Sequence, residues 1–256
     1  MDNFHYSKIK NIVTSLVKNY EGIDIDIVGA SSNLIDIPIE ILEVCNKINF
    51  IDYNKDIIEE IKPKLNRFYN KVNFICEDIT GCYKILKSNV LEIFKKANTI
   101  DNAIYEVLLL FNNFEVVREN KKNNKLFFSM NVSSELFLEL RIYVEKMRWM
   151  FFGENKIQDK DLENKYIVSC KRLQDLLIES HIKNALNYTS SCFFITCYEN
   201  EFPYLNCLSN EPSDFQCVKY INKLVDKIDC ISFWDWHITN ERKIRMLCFI
   251  TKAKYN

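Results

Sequence analysis

The stretch "DIDIVGASSNLIDIPIEILEVCNKINFID", residues 24–52, reads as strand, loop, helix and strand, and it closes on a carboxylate, Asp52. A second apolar run, "VNFICED", ends the same way at Asp78, with Ile79 directly after it. Asp26 lies within the first run, three residues before Gly29, the only glycine of the loop. Carboxylates at the carboxyl ends of strands, beside a narrow loop, are the parts of a nucleotide or cofactor pocket, because ligands gather at that edge of an open α/β sheet. The loop is poor in glycine. Ala30, Ser31 and Ser32 are small, but each carries a Cβ that disfavours positive φ, which leaves serine hydroxyls such as that of Ser31 to do part of the polar work.

Other groups have chemistry to offer, each with a plainer alternative. In "SFWDWHITNER", strand alternation sends Trp234 and Trp236 to one face and Asp235 and His237 to the other. The tryptophans would wall a pocket for a planar molecule, or else pack against a flanking helix. The loop "YENEFPYLN" brings Tyr198 and Glu199 to a strand end, as a wall for a second ligand or as an ordinary connection. In "SMNVSS", Asn131 and the two serines stand at a strand end, where Ser133 and Ser134 also suit helix capping. His181, among apolar neighbours in "LIESHIKNAL", reads as a packing residue before it reads as a base. No Ser-His-Asp order, Walker loop or H-E-x-x-H helix is present, so hydrolase and phosphoryl-transfer chemistry lack support.

Composition narrows the classes. The chain has 256 residues, with 34 basic and 35 acidic side chains and a formal net charge of -1, which gives no electrostatic footprint for nucleic acid. Ten cysteines contain no C-x-x-C pair, and several fall in apolar runs, so free buried thiols account for them better than zinc or disulfides. The start "MDNFHYSKIKN" has no apolar leader, and nowhere do eighteen apolar residues run together, so a cytoplasmic protein without a membrane span is expected.

These residues need elements to position them. Ile9, Ile12, Val13, Leu16 and Val17 recur at three and four, which predicts an amphipathic lead-in helix within residues 1–20. Strands then alternate with helices: "IDIDIVG", a helix started by Asp36 and Pro38, "KINFID", a helix over "NKDIIEEIKPKLNRFY", and "KVNFICED". That rhythm argues for crossovers and a parallel sheet. It breaks over residues 82–125, where two helical patterns follow each other as an inserted or capping pair. A strand at 126–134, helices within 135–152 and 160–187, and a strand at 190–198 resume it. The last part, "CISFWDWHITNERKIRMLCFITKAKY", reads as two long strands joined at Thr239 to Lys243, an antiparallel hairpin. The expected architecture is one α/β domain over residues 1–256: a Rossmann-like open sheet, mostly parallel with a C-terminal antiparallel hairpin, and helices on both faces.

Strand–helix repeats closed by a hairpin resemble the class I S-adenosylmethionine-dependent methyltransferases, whereas dinucleotide-binding Rossmann domains generally end in parallel strands. The resemblance runs from Ile23 to Tyr255 in element order. It is carried locally by "DIDIVGASS", "INFIDYNKDIIEEIK" and "VNFICEDIT", which look like the family's cofactor loop and the acidic ends of its second and third strands. It implies that Asp26, Gly29 and Ser31 lie at the cofactor loop, that Asp52 accepts the ribose hydroxyls, and that Asp78 meets the adenine amino group while Ile79 packs near the ring. Asn131 falls at the family's substrate-facing motif after the fourth strand, although the Asn-Pro-Pro-aromatic form of that motif is absent. S-adenosylmethionine is then the cofactor and a small molecule the methyl acceptor, with Tyr198, Glu199, Trp234, Trp236 and His237 near it. No metal is implied.

Two other outcomes stay open at the level of sequence. One is a non-catalytic protein of the same fold that binds or scaffolds a protein partner, favoured if the glycine-poor loop is filled. The other is aminocarboxypropyl transfer, because "DIVGASSNLIDIPIEIL" also resembles the loop of nicotianamine synthase-like enzymes.

Overall fold

In a computed structural model, the residues described are 3–17, 22–29, 34, 37, 39–116, 126–130, 132, 136–188, 191–199, 223–224, 228–237 and 243–252. The chain opens with α1 (Asn3–Val17), whose Ile9 and Val13 are buried as their spacing requires. There follow β1 (Ile25–Val28), a short α2 (Ile39–Val44), β2 (Ile48–Asp52) and α3 (Lys55–Ile61). The side chain of Asn54 caps α3 by accepting from the Asp56 amide at 2.9 Å. The sequence predicts one helix here to Tyr69, but the chain tightens into a 3-10 helix over Lys62–Phe68. Pro63 is the cause, since it has no N–H to donate back along an α-helix.

β3 (Val72–Cys76) leads to α4 (Tyr83–Lys96) and α5 (Ile100–Asn113), then to β4 (Leu126–Met130), α6 (Leu138–Phe152), α7 (Lys160–Tyr188), β5 (Ser191–Glu199), β6 (Ile228–His237) and β7 (Lys243–Lys252). β4 stops at Met130, short of the 126–134 expected. The turn expected from Thr239 lies outside the described residues up to Lys243, where β7 begins.

The sheet has seven strands in the order β3-β2-β1-β4-β5-β7-β6. β1 to β5 pair in parallel, and β7 runs antiparallel between β5 and β6. The C-terminal hairpin is therefore present, with its second strand inserted beside β5. Helices cover both faces. On one, α1, α2 and α3 enclose Ile25, Ile27, Phe50 and Phe128; on the other, α4 to α7 enclose Val28 and Phe127. Alternation along each strand divides these residues.

The two helices within 82–125 pack into this second layer: Leu86, Val90, Phe94, Ile104, Val107 and Phe111 share one core with α6 and α7. No helix among the described residues is long and apolar enough to cross a membrane.

Candidate functional site

The chain builds β1, β2 and β3 outward in one direction and then returns to place β4 on the other side of β1. Such a reversal opens a crevice at the carboxyl ends of the strands. A cavity of about 310 Å³ lies there, at the low end of the roughly 300–1,000 Å³ typical of small-molecule sites. Gly29, Asp52, Asp78 and Ile79 line it together, and Val28, Ile51, Ile57, Met130, Val132 and Leu136 supply apolar wall. Four of the residues singled out in the sequence therefore share one cavity. A larger groove of about 800 Å³ between α4 and α5 shares no residue with it and lies away from the strand ends.

Gly29 holds φ at +75°, a conformation that L side chains rarely adopt. A Cβ there would stand 2.3 Å from Val132 Cγ2 and 2.8 Å from the Met130 carbonyl oxygen, so the end of β1 approaches the end of β4 too closely for any side chain. The amide of Gly29 donates to the Ile51 carbonyl at 3.2 Å, which ties the turn to β2. Ser31 lies outside the described residues, as does Asn131.

Asp52 ends β2 with its carboxylate half-buried. Its Oδ1 accepts the Asn54 amide at 2.8 Å, and its carbonyl accepts the Glu77 amide at 3.0 Å. A carboxylate offers about four lone-pair sites, so one backbone amide leaves room for a vicinal diol. Burial pushes the Asp52 carboxyl above its ordinary value, and the charge of Glu139 adds to the rise, while the amides of Asn54 and Tyr53 oppose it. Such a group gains from any ligand that donates hydrogen bonds to its charged form.

Asp78 is occupied differently. Its Oδ1 accepts from the Thr80 amide at 2.9 Å and the Thr80 hydroxyl at 2.6 Å, and its Oδ2 accepts from the Tyr83 amide at 2.6 Å. The side chain thus closes the turn before Gly81 and holds the first turn of α4. What it has left for a ligand is the remaining lone pair of Oδ2. Ile79 follows it on the cavity wall.

Two expectations need correction. Asp26 does not line the cavity: it is buried at mid-strand, where Asn49 Nδ2 donates to its Oδ1 at 2.5 Å and Asn73 Nδ2 donates to Asn49 Oδ1 at 3.0 Å. These three residues stand opposite one another in register across β1, β2 and β3, so Asp26 anchors a polar ladder below the site. Trp234 does not wall the cavity either. It is buried in the core beneath α1, and its indole Nε1 donates to His5 Nδ1 at 2.8 Å. The side chains of Tyr198, Glu199, Trp236 and His237 lie outside the described residues, although their backbones belong to β5 and β6.

His181 is buried on α7, with Nε2 2.8 Å from the Ser129 hydroxyl on β4. Burial lowers its pKa to about 4, so it is neutral at pH 7 and joins helix to sheet.

Tyr53, Glu77, Tyr83, Met130, Val132 and Leu136 were not singled out in the sequence, yet all line the cavity. Tyr53 and Glu77 carried a signal of position, since each adjoins an aspartate already chosen. Nothing local marks Tyr83, whose hydroxyl donates to the Leu136 carbonyl across 53 residues.

No protein-family model matches the sequence, and no curated protein matches it. Among solved structures, the N-methyltransferase NodS from Bradyrhizobium japonicum WM9 superposes with a TM-score of 0.51 at 7% identity, covering 99% of this chain and 98% of that one. Magnesium protoporphyrin IX methyltransferase from Synechocystis PCC 6803, solved with bound S-adenosylmethionine, matches with a TM-score of 0.46 at 9% identity, over 97% of this chain and 80% of that one. At such identities the likeness concerns fold alone, and the first of the two carries it. The chain shares the fold of that N-methyltransferase, and its own sheet is Rossmann-like, parallel over β1 to β5 and closed by an antiparallel hairpin.

Proposed function

We propose that the protein is a cytoplasmic S-adenosylmethionine-dependent methyltransferase acting on a small molecule. The observation that supports this most is the shared cavity of Gly29, Asp52, Asp78 and Ile79 at the reversal of strand order, on a fold found in NodS. The donor set fits the cofactor. Asp52 would accept the ribose hydroxyls, which would restore hydrogen bonds that burial has taken from its carboxylate. Ile57 and Ile79 give apolar surface for the adenine, with Asp78 Oδ2 at its edge. Gly29 lets the backbone of β1 close against β4, and Ser31 and Asn131, which lie outside the described residues, are kept as cofactor contacts on the resemblance in sequence alone.

The bound cofactor supplies an electrophilic methyl on a sulfonium centre. The part of the chain itself is to hold that group, orient an acceptor in line with it and keep water out, which supplies much of the rate without a dedicated base. Tyr198, Glu199, Trp236 and His237, at the ends of β5 and β6, remain candidates for the acceptor side.

The test is release of S-adenosylhomocysteine from S-adenosylmethionine in the presence of a dialysable metabolite pool, for the wild type and Asp52→Asn. Turnover that the variant reduces at least tenfold is expected. Tight binding of S-adenosylhomocysteine without turnover in any pool would contradict catalysis and favour a non-catalytic protein of this fold.

A further inference from the structure

Beside the cavity stands a second constellation that the cofactor reading does not use. On α4, one turn beyond Tyr83, the ammonium of Lys87 lies 5.6 Å from the ring centre of Tyr53 and 5.7 Å from those of Tyr83 and Tyr143. Glu139, one turn before Tyr143 on α6, closes the fourth side with Oε1 2.6 Å from Lys87 Nζ. Three aromatic rings around a nitrogen cation, with a carboxylate beside them, are the means by which proteins recognise ammonium groups.

Three features separate this box from a simple surface ion pair. Tyr53 and Tyr83 are also walls of the cavity, so box and cavity are contiguous. The second carboxylate oxygen, Glu139 Oε2, is buried and has no hydrogen-bond partner among the described residues, so Lys87 leaves part of the carboxylate unused. The occupant can also withdraw: Lys87 is 26% exposed and sits on a flexible four-carbon stem, so its ammonium has a solvated position to retreat to. A partly exposed ion pair contributes little, and exchange of one ammonium for another is close to neutral, leaving the rest of the ligand to decide.

We propose that Tyr53, Tyr83, Tyr143 and Glu139 form the anchoring site for an ammonium group on the acceptor, and that Lys87 fills it until an amine displaces it. This rests on the reading of the adjoining cavity as the cofactor site. With Lys87 withdrawn, the box presents one carboxylate and three negative ring faces, with Asp52 close enough to feel the charge of Glu139. A neutral or anionic group would leave that charge uncompensated, so the class of ligand is a primary or substituted amine in its protonated form. The box anchors the acceptor; the atom that receives the methyl lies elsewhere along it.

The probe is n-butylammonium, with n-butanol as its neutral counterpart, titrated by calorimetry into the full chain, Lys87→Ala and Lys87→Ala/Glu139→Gln, each checked for folding by circular dichroism. Removal of the resident ammonium is expected to tighten n-butylammonium binding about two- to fivefold over the wild type, the size of a partly exposed ion pair, without any gain for n-butanol, and Glu139→Gln is expected to abolish the gain. Equal affinity of folded Lys87→Ala and wild type for n-butylammonium, or an equal gain for n-butanol, would overturn the proposal. S-adenosylhomocysteine titrated into the same samples separates the two readings. Its failure to bind even the wild type would remove the cofactor assignment, while the ammonium site would still stand or fall on the n-butylammonium result.

Discussion

Gly29 is the residue on which the shape of the site depends most directly. Its φ of +75° and the 2.3 Å that would separate a Cβ from Val132 Cγ2 act together, because a side chain there is strained and also overlaps β4. Gly29→Ala is expected to cost about 2–5 kcal/mol, from roughly 1–2 for the left-handed conformation and about 1–3 for overpacking, measured by urea denaturation; a loss below about 0.5 kcal/mol would show that β1 and β4 separate freely. Asp52 couples stability to binding in the opposite sense. Its folded pKa lies above the unfolded value, so the group favours folding when protonated, and stability is lost as pH rises through the two values. Asp52→Asn keeps an oxygen for the Asn54 amide and removes the buried charge, so at pH 7 its Tm should equal or exceed that of the wild type. Affinity for S-adenosylhomocysteine should fall roughly 10- to 150-fold, which corresponds to the about 1.5–3 kcal/mol of hydrogen bonds to a charged group. A lowered Tm with unchanged affinity would assign Asp52 to structure alone. The place of Asp52 at the carboxyl end of β2, on the cavity wall, was legible because it closes an apolar run. Asp78 was legible in position only, since its bonds to Thr80 and Tyr83 depend on a turn whose geometry the letters do not specify.

At the scale of elements, periodicity placed α1, α4, α5 and α7 to within a few residues, because each buries a stripe that repeats at three and four. Element ends were harder. Pro63 converts the second half of an expected helix into a 3-10 turn, and Asn54, the first residue of the expected helix, proves to be the cap of α3. The junction of α7 with β4 carries its own prediction. His181 has a pKa of about 4 in the fold against 6.5 when unfolded, so the unfolded chain binds the proton first as pH falls. The stability that neutral His181 contributes is complete above about pH 6.5 and is lost by pH 4, at most about 3 kcal/mol at 1.36 kcal/mol per unit. Denaturation curves of the wild type should show this loss between those pH values, and His181→Gln, which retains a hydrogen-bonding partner for Ser129 without titrating there, should lose less. Parallel curves for the two proteins would contradict the assignment.

The whole molecule is defined by the strand order β3-β2-β1-β4-β5-β7-β6, and its most legible sign was the C-terminal hairpin, since a turn cluster between two β-branched and aromatic runs has only one close-packed outcome. Contacts between distant segments were not legible. The Trp234–His5 hydrogen bond joins residues 229 positions apart, and it sends to the core a tryptophan that local alternation had offered to a pocket. The cavity, too, is a property of the assembled sheet: its walls come from separate stretches of chain that only the reversal beyond β3 brings together. The proposed activity requires that cavity to hold an adenosyl ligand. Calorimetric titration of the folded protein with S-adenosylhomocysteine, with NAD as the control, tests it most directly. Micromolar binding of S-adenosylhomocysteine alone is the expected result; no binding at millimolar ligand would mean that the fold retains the architecture of a cofactor site without its function.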